Sequence, residues 1–354
     1  MRFVLPLAPD MRFDNSTPTS RLLRKIMPWM QGRRPDWLIR LGLFLYDHMG
    51  GRKILPATET LNLQTAAEGQ PLKNSFAKAF EYSDCWIEDS RLVALNAQDA
   101  KQRGAHVMTR TKVIATHRHA DHWVVTLLDQ KTQDRHEITT KMIVNAAGPW
   151  VGELLGQTLG LKTNEGVRLV RGSHIVTHKL FDHDKAYFFQ GTDGRIIFAI
   201  PYENDYTLIG TTDQDHLDPN EPVECTAEEQ AYLLNFASQY FETPVTNDDI
   251  VWTFSGVRPL YDDGASSASA ATRDYVLKID CADDTAPVLN IFGGKITTYR
   301  KLAESALVEI ENALGAKSAP WTKRVPLPGG DFNVDGFDAL VKNLSDSYDF
   351  LTST

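Results

Sequence analysis

Between about residues 160 and 285 the chain breaks into short apolar runs divided by polar turns, and this rhythm restricts the fold more than any other feature. The runs RLVRGSHIVTH, AYFFQ, RIIFAIPY, YTLIGTT, DIVWTFSGVRPL and RDYVLKID are rich in β-branched and aromatic residues, which suit a pleated sheet. Turn sequences at Thr192-Asp193-Gly194 and Glu203-Asn204-Asp205 separate several of them. Such short connections join antiparallel neighbours, so a mostly antiparallel sheet is expected. One helix interrupts the series. Thr226 and Glu229 have capping-box spacing ahead of Tyr232, Leu233, Phe236 and Tyr240.

The flanking sequence has a different pattern. Asp89 or Ser90 caps a helix through Leu92, Leu95 and Ala97 to Gly104. AHVMTRTKVIA then reads as a strand, HRHADH as a turn and WVVTLLD as the partner strand. In HEITTKMIVNAAGPW the run Met142 to Val144 ends at small residues, as a buried strand entering a ligand loop does. PVLNIF leads through Gly293-Gly294-Lys295 into a helix from about Thr298 through Leu302, Ala306 and Ile310, closed by Gly315. Residues 1–55 show no clean strand pattern, and residues 316–354 begin a new unit without building a core. Strand–loop–helix segments beside an antiparallel sheet give a mixed α/β class.

A chain of 354 residues has room for two or three domains, and 42% hydrophobic against 23% charged residues supports a packed core. The net charge of −9 argues against a general nucleic-acid binder. Cys85, Cys225 and Cys281 make neither a disulfide framework nor a zinc spacing, so a reducing compartment is expected. No apolar run approaches the roughly 20 residues that span a bilayer. Charge reverses locally: between residues 21 and 53 eight basic residues stand against two acidic ones, interleaved with Trp29, Trp37, Leu38, Leu41, Phe44 and Leu45. Basic residues mixed with Trp and Leu suit an anionic membrane surface. The alternative is a buried helix with arginines snorkelling at its rim.

Several motifs carry chemistry. His117-Arg118-His119-Ala120-Asp121-His122 matches the HxHxDH pattern of the metallo-β-lactamase superfamily, whose imidazoles hold zinc. Here a strand-like Trp123-Val124-Val125 follows at once and no second His/Asp cluster appears, so the segment reads as a polar hairpin turn and no metal is expected. Asn145-Ala146-Ala147-Gly148-Pro149-Trp150 lets backbone approach a ligand closely. Phe292-Gly293-Gly294-Lys295-Ile296-Thr297-Thr298-Tyr299-Arg300 takes a strand through two glycines and a cation to a helix N-terminus, an anion- or cofactor-binding arrangement. Arg258 in GVRPL and Arg273 in TRDY suit bidentate binding of phosphate or carboxylate. His174 in RGSH is a candidate proton acceptor.

Taken in order, EYSDCW (81–86), Arg91-Leu92, NAAGPW, RGSHIV, IGTTD (209–213), FSGVRPL, TRDY and FGGKITTYRKLAE resemble the flavin-dependent sn-glycerol-3-phosphate dehydrogenase family. The resemblance implies an FAD-binding Rossmann-like domain of the glycine- and D-amino-acid-oxidase type, an antiparallel-sheet substrate domain and a helical C-terminal domain. It divides the chain into a substrate-cap and membrane-facing segment at 1–75 with an insertion near 14–34, FAD-domain parts at 76–155 and 286–315, a substrate domain at 156–285 and the start of a C-terminal domain at 316–354. It implies oxidation of glycerol 3-phosphate to dihydroxyacetone phosphate, with electrons passed to a membrane quinone by an enzyme peripheral to the cytoplasmic face of the inner membrane, and a homodimer among its partners. It assigns Val113, Ala147, Gly148, Gly293, Gly294, Lys295 and Thr297 to FAD, Arg258, Arg273 and Lys295 to substrate, and His174, Arg258 and Lys295 to catalysis. The family opens on a GxGxxG turn that this sequence does not contain. The expectation is therefore a partial chain, with an incomplete FAD-binding domain, that binds FAD poorly by itself. Two alternatives are a non-catalytic module that keeps a sugar-phosphate pocket and a zinc hydrolase built on HxHxDH.

Overall fold

The structure is a computed structural model that describes residues 1–8, 25, 35–49, 54–161, 166–191, 195–262, 274–281, 285–315 and 319–351. The described chain falls into two compact units. One comprises Met1–Trp86, Met142–Ala282 and Pro287–Lys295, and the other Ile87–Lys141, Asp283–Ala286 and Ile296–Thr354.

The first unit is built on a nine-stranded sheet. Its strands are β1 (Arg2–Pro6), β2 (Glu59–Asn62), β3 (Lys78–Ser83), β8 (Val167–His178), β9 (Ala186–Gln190), β10 (Ile196–Tyr202), β11 (Tyr206–Gly210), β12 (Gln214–His216) and β13 (Ile250–Tyr261). β13 pairs along nearly the whole of β8, and β11 and β12 pair with successive stretches of β8. The sheet continues through β10, β9, β1, β3 and β2, and only the β1–β9 pair is parallel. The β10–β11 hairpin closes on a three-residue turn, Glu203, Asn204 and Asp205, the first two with positive φ (44° and 62°).

Helix α3 (Ala227–Tyr240) covers one face of this sheet. Its capping box is formed as the sequence predicts, with Thr226 and Glu229 exchanging side-chain and backbone bonds. Leu233, Phe236, Ala237 and Tyr240 join Ile175, Ile197, Ala199 and Ile209 in the core. Helix α1 (Asp36–His48) places Ile39 and Leu43 against Leu5, Leu7 and Phe80, while the buried Asp47 accepts from the N–H (2.9 Å) and hydroxyl (2.7 Å) of Thr58. The same helix leaves Trp37, Leu41, Phe44 and Leu45 exposed, so it is apolar on two sides.

The first unit also holds a three-stranded sheet of β14 (Val276–Asp280), β15 (Val288–Phe292) and β7 (Ile143–Asn145), with β15 and β7 parallel. In the second unit β4 (Thr111–Arg118), β5 (Trp123–Asp129) and β6 (Arg135–Thr140) form an antiparallel meander. Trp123, Val125 and Leu127 alternate onto its buried face. Helices α2 (Asp89–Gln102), α4 (Tyr299–Leu314) and α5 (Phe337–Ser347) complete it, with Arg103 stacked 4.1 Å over the Trp321 ring.

Four expectations need correction. Residues 2–6 form a central strand; its pattern is hidden because four consecutive residues are buried and alternation disappears. Strand β4 begins at Thr111, leaving the exposed Val107 and Met108 outside it. β7 is buried only at Asn145, with Val144 exposed. α2 begins after Glu88 without a side-chain cap from Asp89 or Ser90. The 14–34 segment, apart from Lys25, and the Thr192–Gly194 turn lie outside the described residues. No helix among the described residues is long and apolar enough to cross a membrane.

Candidate functional site

Alternate residues of a strand share a face, and the antiparallel register sets the members of two such rows opposite one another. Phe254 lies across from His174, Gly256 from Gly172, and Arg258 from Val170. The rings of His174 and Phe254 stack 4.8 Å apart at 7°. The Arg258 guanidinium crosses back over Gly172, where a Cβ would collide with its Nη2. Nη2 donates to Thr211 Oγ1 at 3.0 Å, and Nη1 pairs with Asp213. Gly210, opposite His174 on β11, has no room for a side chain because the imidazole occupies that space. A base and a guanidinium thus share one face of the sheet. Gly172 and His174 are two residues apart on β8, about 7 Å along a strand. Gly256, opposite Gly172 on β13, is exposed, with nothing within 4 Å of where its Cβ would stand.

Three motifs that are far apart in sequence meet beside Arg258. At Gly293 (φ 70°) a Cβ would stand 2.9 Å from Asp274 O, 3.2 Å from Tyr261 N and 3.7 Å from Pro259 O. At Gly148 (φ 58°) it would stand 3.9 Å from Pro259 Cγ. Pro259 is therefore flanked by the NAAGPW turn and the Gly293-Gly294 turn. Asn145 holds the first of these: its Nδ2 donates to Val151 O (3.1 Å) and to Asn290 Oδ1 (3.0 Å), and its Oδ1 accepts from Ala147 N (3.3 Å). The bonded pair Asn145 and Asn290 lies in the parallel β7–β15 register, which ties both turns to one small sheet.

The predicted residues are distributed as follows. His174, Arg258, Ala147, Gly148, Gly293, Gly294 and Lys295 belong to the first unit, and Val113 and Thr297 to the second. Lys295 and Thr297 are exposed, and Val113 sits on β4 beside a bulge. Arg273 lies outside the described residues. Thr211, Asp213, Phe254 and the glycines at 172, 210 and 256 were not singled out as site residues. Their signal was glycine inside strands, which marks close approach of another group.

HxHxDH is split between β4 and the turn that follows it. His119 N donates to His122 O at 2.8 Å, the two rings stack at 4.3 Å, and His122 Nδ1 bonds Asp121 at 2.7 Å. Among the described residues no group of three or more His, Cys, Asp or Glu is disposed to hold a metal ion.

An antiparallel sheet thus presents a base and a cation next to glycine turns that leave a small mixed sheet. Residues 25–300 match the model of the FAD-dependent oxidoreductase (DAO) family, and the chain belongs to that family. It is 39% identical to the aerobic glycerol-3-phosphate dehydrogenase of Escherichia coli (strain K12), over 99% of this chain and 68% of that protein. It is 42% identical to the D-erythritol 1-phosphate dehydrogenase of Brucella abortus (strain 2308), over 94% of this chain and 66% of that one. The structure of a Bacillus halodurans glycerol-3-phosphate dehydrogenase complexed with FAD matches with a TM-score of 0.68 at 25% identity, covering 98% of this chain and 58% of that one. The chain thus spans about two thirds or less of the length of these relatives. The mixed α/β fold of the D-amino-acid-oxidase type, FAD as the family's cofactor and the resemblance to flavin-dependent glycerol-3-phosphate dehydrogenases are all upheld. Gly148 and Gly293, both at positive φ (58° and 70°), bring two backbone turns against Pro259, the neighbour of Arg258, where a cofactor ring could lie on backbone rather than on side chains.

Proposed function

We propose that this chain carries the substrate-oxidising side of a flavin-dependent dehydrogenase that converts sn-glycerol 3-phosphate to dihydroxyacetone phosphate in glycerol and glycerophospholipid breakdown. The observation that carries the reading is the Arg258 guanidinium, laid over Gly172 on the face that also bears His174. Arg258 grips the phosphate through paired N–H donors, and Lys295 and Arg273 add charge for a dianion. His174 takes the proton of the C2 hydroxyl while hydride leaves C2 with its electron pair. Bound FAD supplies the hydride acceptor. Residues Ala147, Gly148, Gly293, Gly294 and Lys295 would hold its ring end.

The test is Arg258→Ala in the flavin-loaded protein. An apparent KM for glycerol 3-phosphate raised by about tenfold or more is expected, as befits loss of a charge-assisted contact; an unchanged KM would overturn the assignment.

A second substrate reading has its own support. Gly256 leaves open space between base and guanidinium, room for a longer polyol phosphate such as the one in the Brucella relative's name. The ratio of kcat/KM for erythritol 1-phosphate and glycerol 3-phosphate decides between them.

We further propose a membrane quinone as electron acceptor and a peripheral site on the cytoplasmic face of the inner membrane. The exposed Trp37, Leu41, Phe44 and Leu45 of α1, flanked by basic sequence, support this. Flotation with vesicles containing anionic phospholipid, lost at high salt or in Trp37→Ser/Phe44→Ser, is the expected result. The homodimer is checked by light scattering.

A further inference from the structure

Behind the sheet, on the face opposite His174, lies a carboxylate that the reaction does not touch. Glu229 is 4% exposed. Its Oε1 accepts from Ser173 Oγ (2.9 Å) and Thr212 Oγ1 (2.7 Å), while Oε2 accepts from Thr226 N (3.1 Å) and pairs with Arg171 (3.0 Å). Thr212 Oγ1 in turn accepts from Ser173 N at 2.9 Å. The Ser173 hydroxyl has one proton, which goes to the carboxylate, so the Ser255 hydroxyl at 2.8 Å must be the donor between the two serines. One buried group thereby collects three separate segments: β8, β13 and the stretch after β11.

The neighbours of the collected residues complete the picture. Ser173 stands between Gly172 and His174, Ser255 between Phe254 and Gly256, and Thr212 between Thr211 and Asp213. Each neighbour that points the other way contacts or flanks the site: His174 on Phe254, and Arg258 over Gly172 with Thr211 and Asp213 as partners. We propose that Glu229 is a positioning residue, whose buried bonds to Ser173 and Thr212 set the spacing between His174 and Arg258. The inference rests on the dehydrogenase reading only for the roles of those two side chains. Buried carboxylates that bind several donors are rigid because losing one bond leaves a desolvated group unmet.

The branches are separable. Ser173→Ala cuts the branch that holds the His174 stretch of β8, and Thr212→Val cuts the one that holds the Arg258 partners. In flavin-loaded protein, with rates normalised to bound flavin, Ser173→Ala is expected to lower kcat by about tenfold with KM within about twofold, and Thr212→Val to raise KM for glycerol 3-phosphate by about tenfold. Glu229→Gln, close in size, is expected to do both. A residue of merely structural importance would reduce the yield of folded flavoprotein and leave both constants unchanged, and that outcome overturns the proposal. A second readout needs neither substrate nor turnover. The His174 ring resonances, shifted by the stacked Phe254, should move in Glu229→Gln and Ser173→Ala; unmoved resonances also overturn it. If they move while the wild type fails to oxidise glycerol 3-phosphate, the substrate reading falls and the positioning role stands.

Discussion

Gly172 shows how one missing atom organises the site. Its hydrogen leaves the space through which Arg258 reaches Thr211 and Asp213. Gly172→Ala is expected to displace both the guanidinium and the Thr211 hydroxyl, raising KM for the phosphate substrate by about tenfold or more. A wild-type KM would show that the close approach is dispensable. Glu229 and Glu68 illustrate the electrostatics of burial. Burial by itself raises each carboxyl above its ordinary value of 4.5. Hydrogen bonds from Thr212, Thr226 N and Ser173, with Arg171 nearby, outweigh it for Glu229, as the Lys185 ammonium does for Glu68, so both end below that value. A carboxyl lower in the folded than in the unfolded chain stabilises fully above the unfolded value and ceases to do so as pH falls through the folded one. Thermal stability should therefore fall below about pH 4.5, and Glu229→Gln should flatten that decline. A melting temperature that is level through this range would contradict the assignment.

At the scale of elements, caps and turns do what local sequence allows. The Thr226 cap both starts α3 and delivers Glu229 to the sheet. Thr226→Ala should cost about 1 kcal/mol, the usual value of an N-cap, measured by denaturant unfolding. A larger loss is expected where the Ser173 branch loosens as well. In the β10–β11 hairpin Glu203 occupies the left-handed region (φ 44°), which Asn tolerates better than Glu. Glu203→Asn should raise stability by up to about 1 kcal/mol, and a lower unfolding midpoint would refute it. Both features were legible beforehand, because a capping box and a three-residue polar turn involve neighbours in the chain. The hairpin turn around HxHxDH was legible for the same reason: it is closed by a backbone bond between His119 and His122, neighbours in the chain.

Over the whole molecule, the first unit depends on its first strand. β1 sits between β3 and β9 in the sheet, with Val4 fully buried. Val4→Asp places an unpaired carboxylate where no water reaches, a cost of several kcal/mol. Loss of soluble, cooperatively folding protein is expected by circular dichroism and gel filtration. A stable, soluble variant would mean that β2 and β3 hold without their neighbour.

Alternating β-branched runs and the Thr226–Glu229 spacing were enough to determine most strands between residues 167 and 261 and the helix packed on their sheet. These signals are local: each reports the conformation and burial of residues within one turn or one strand. The tertiary structure alone decided that His174 and Arg258 share a face, that Gly172 and Gly256 stand opposite one another between them, and that Pro259 touches two distant glycine turns. It alone set five residues at the N-terminus inside the sheet. Register between strands separated by tens of residues is fixed by backbone hydrogen bonds and packing across the sheet, and no period within a single strand encodes its partner.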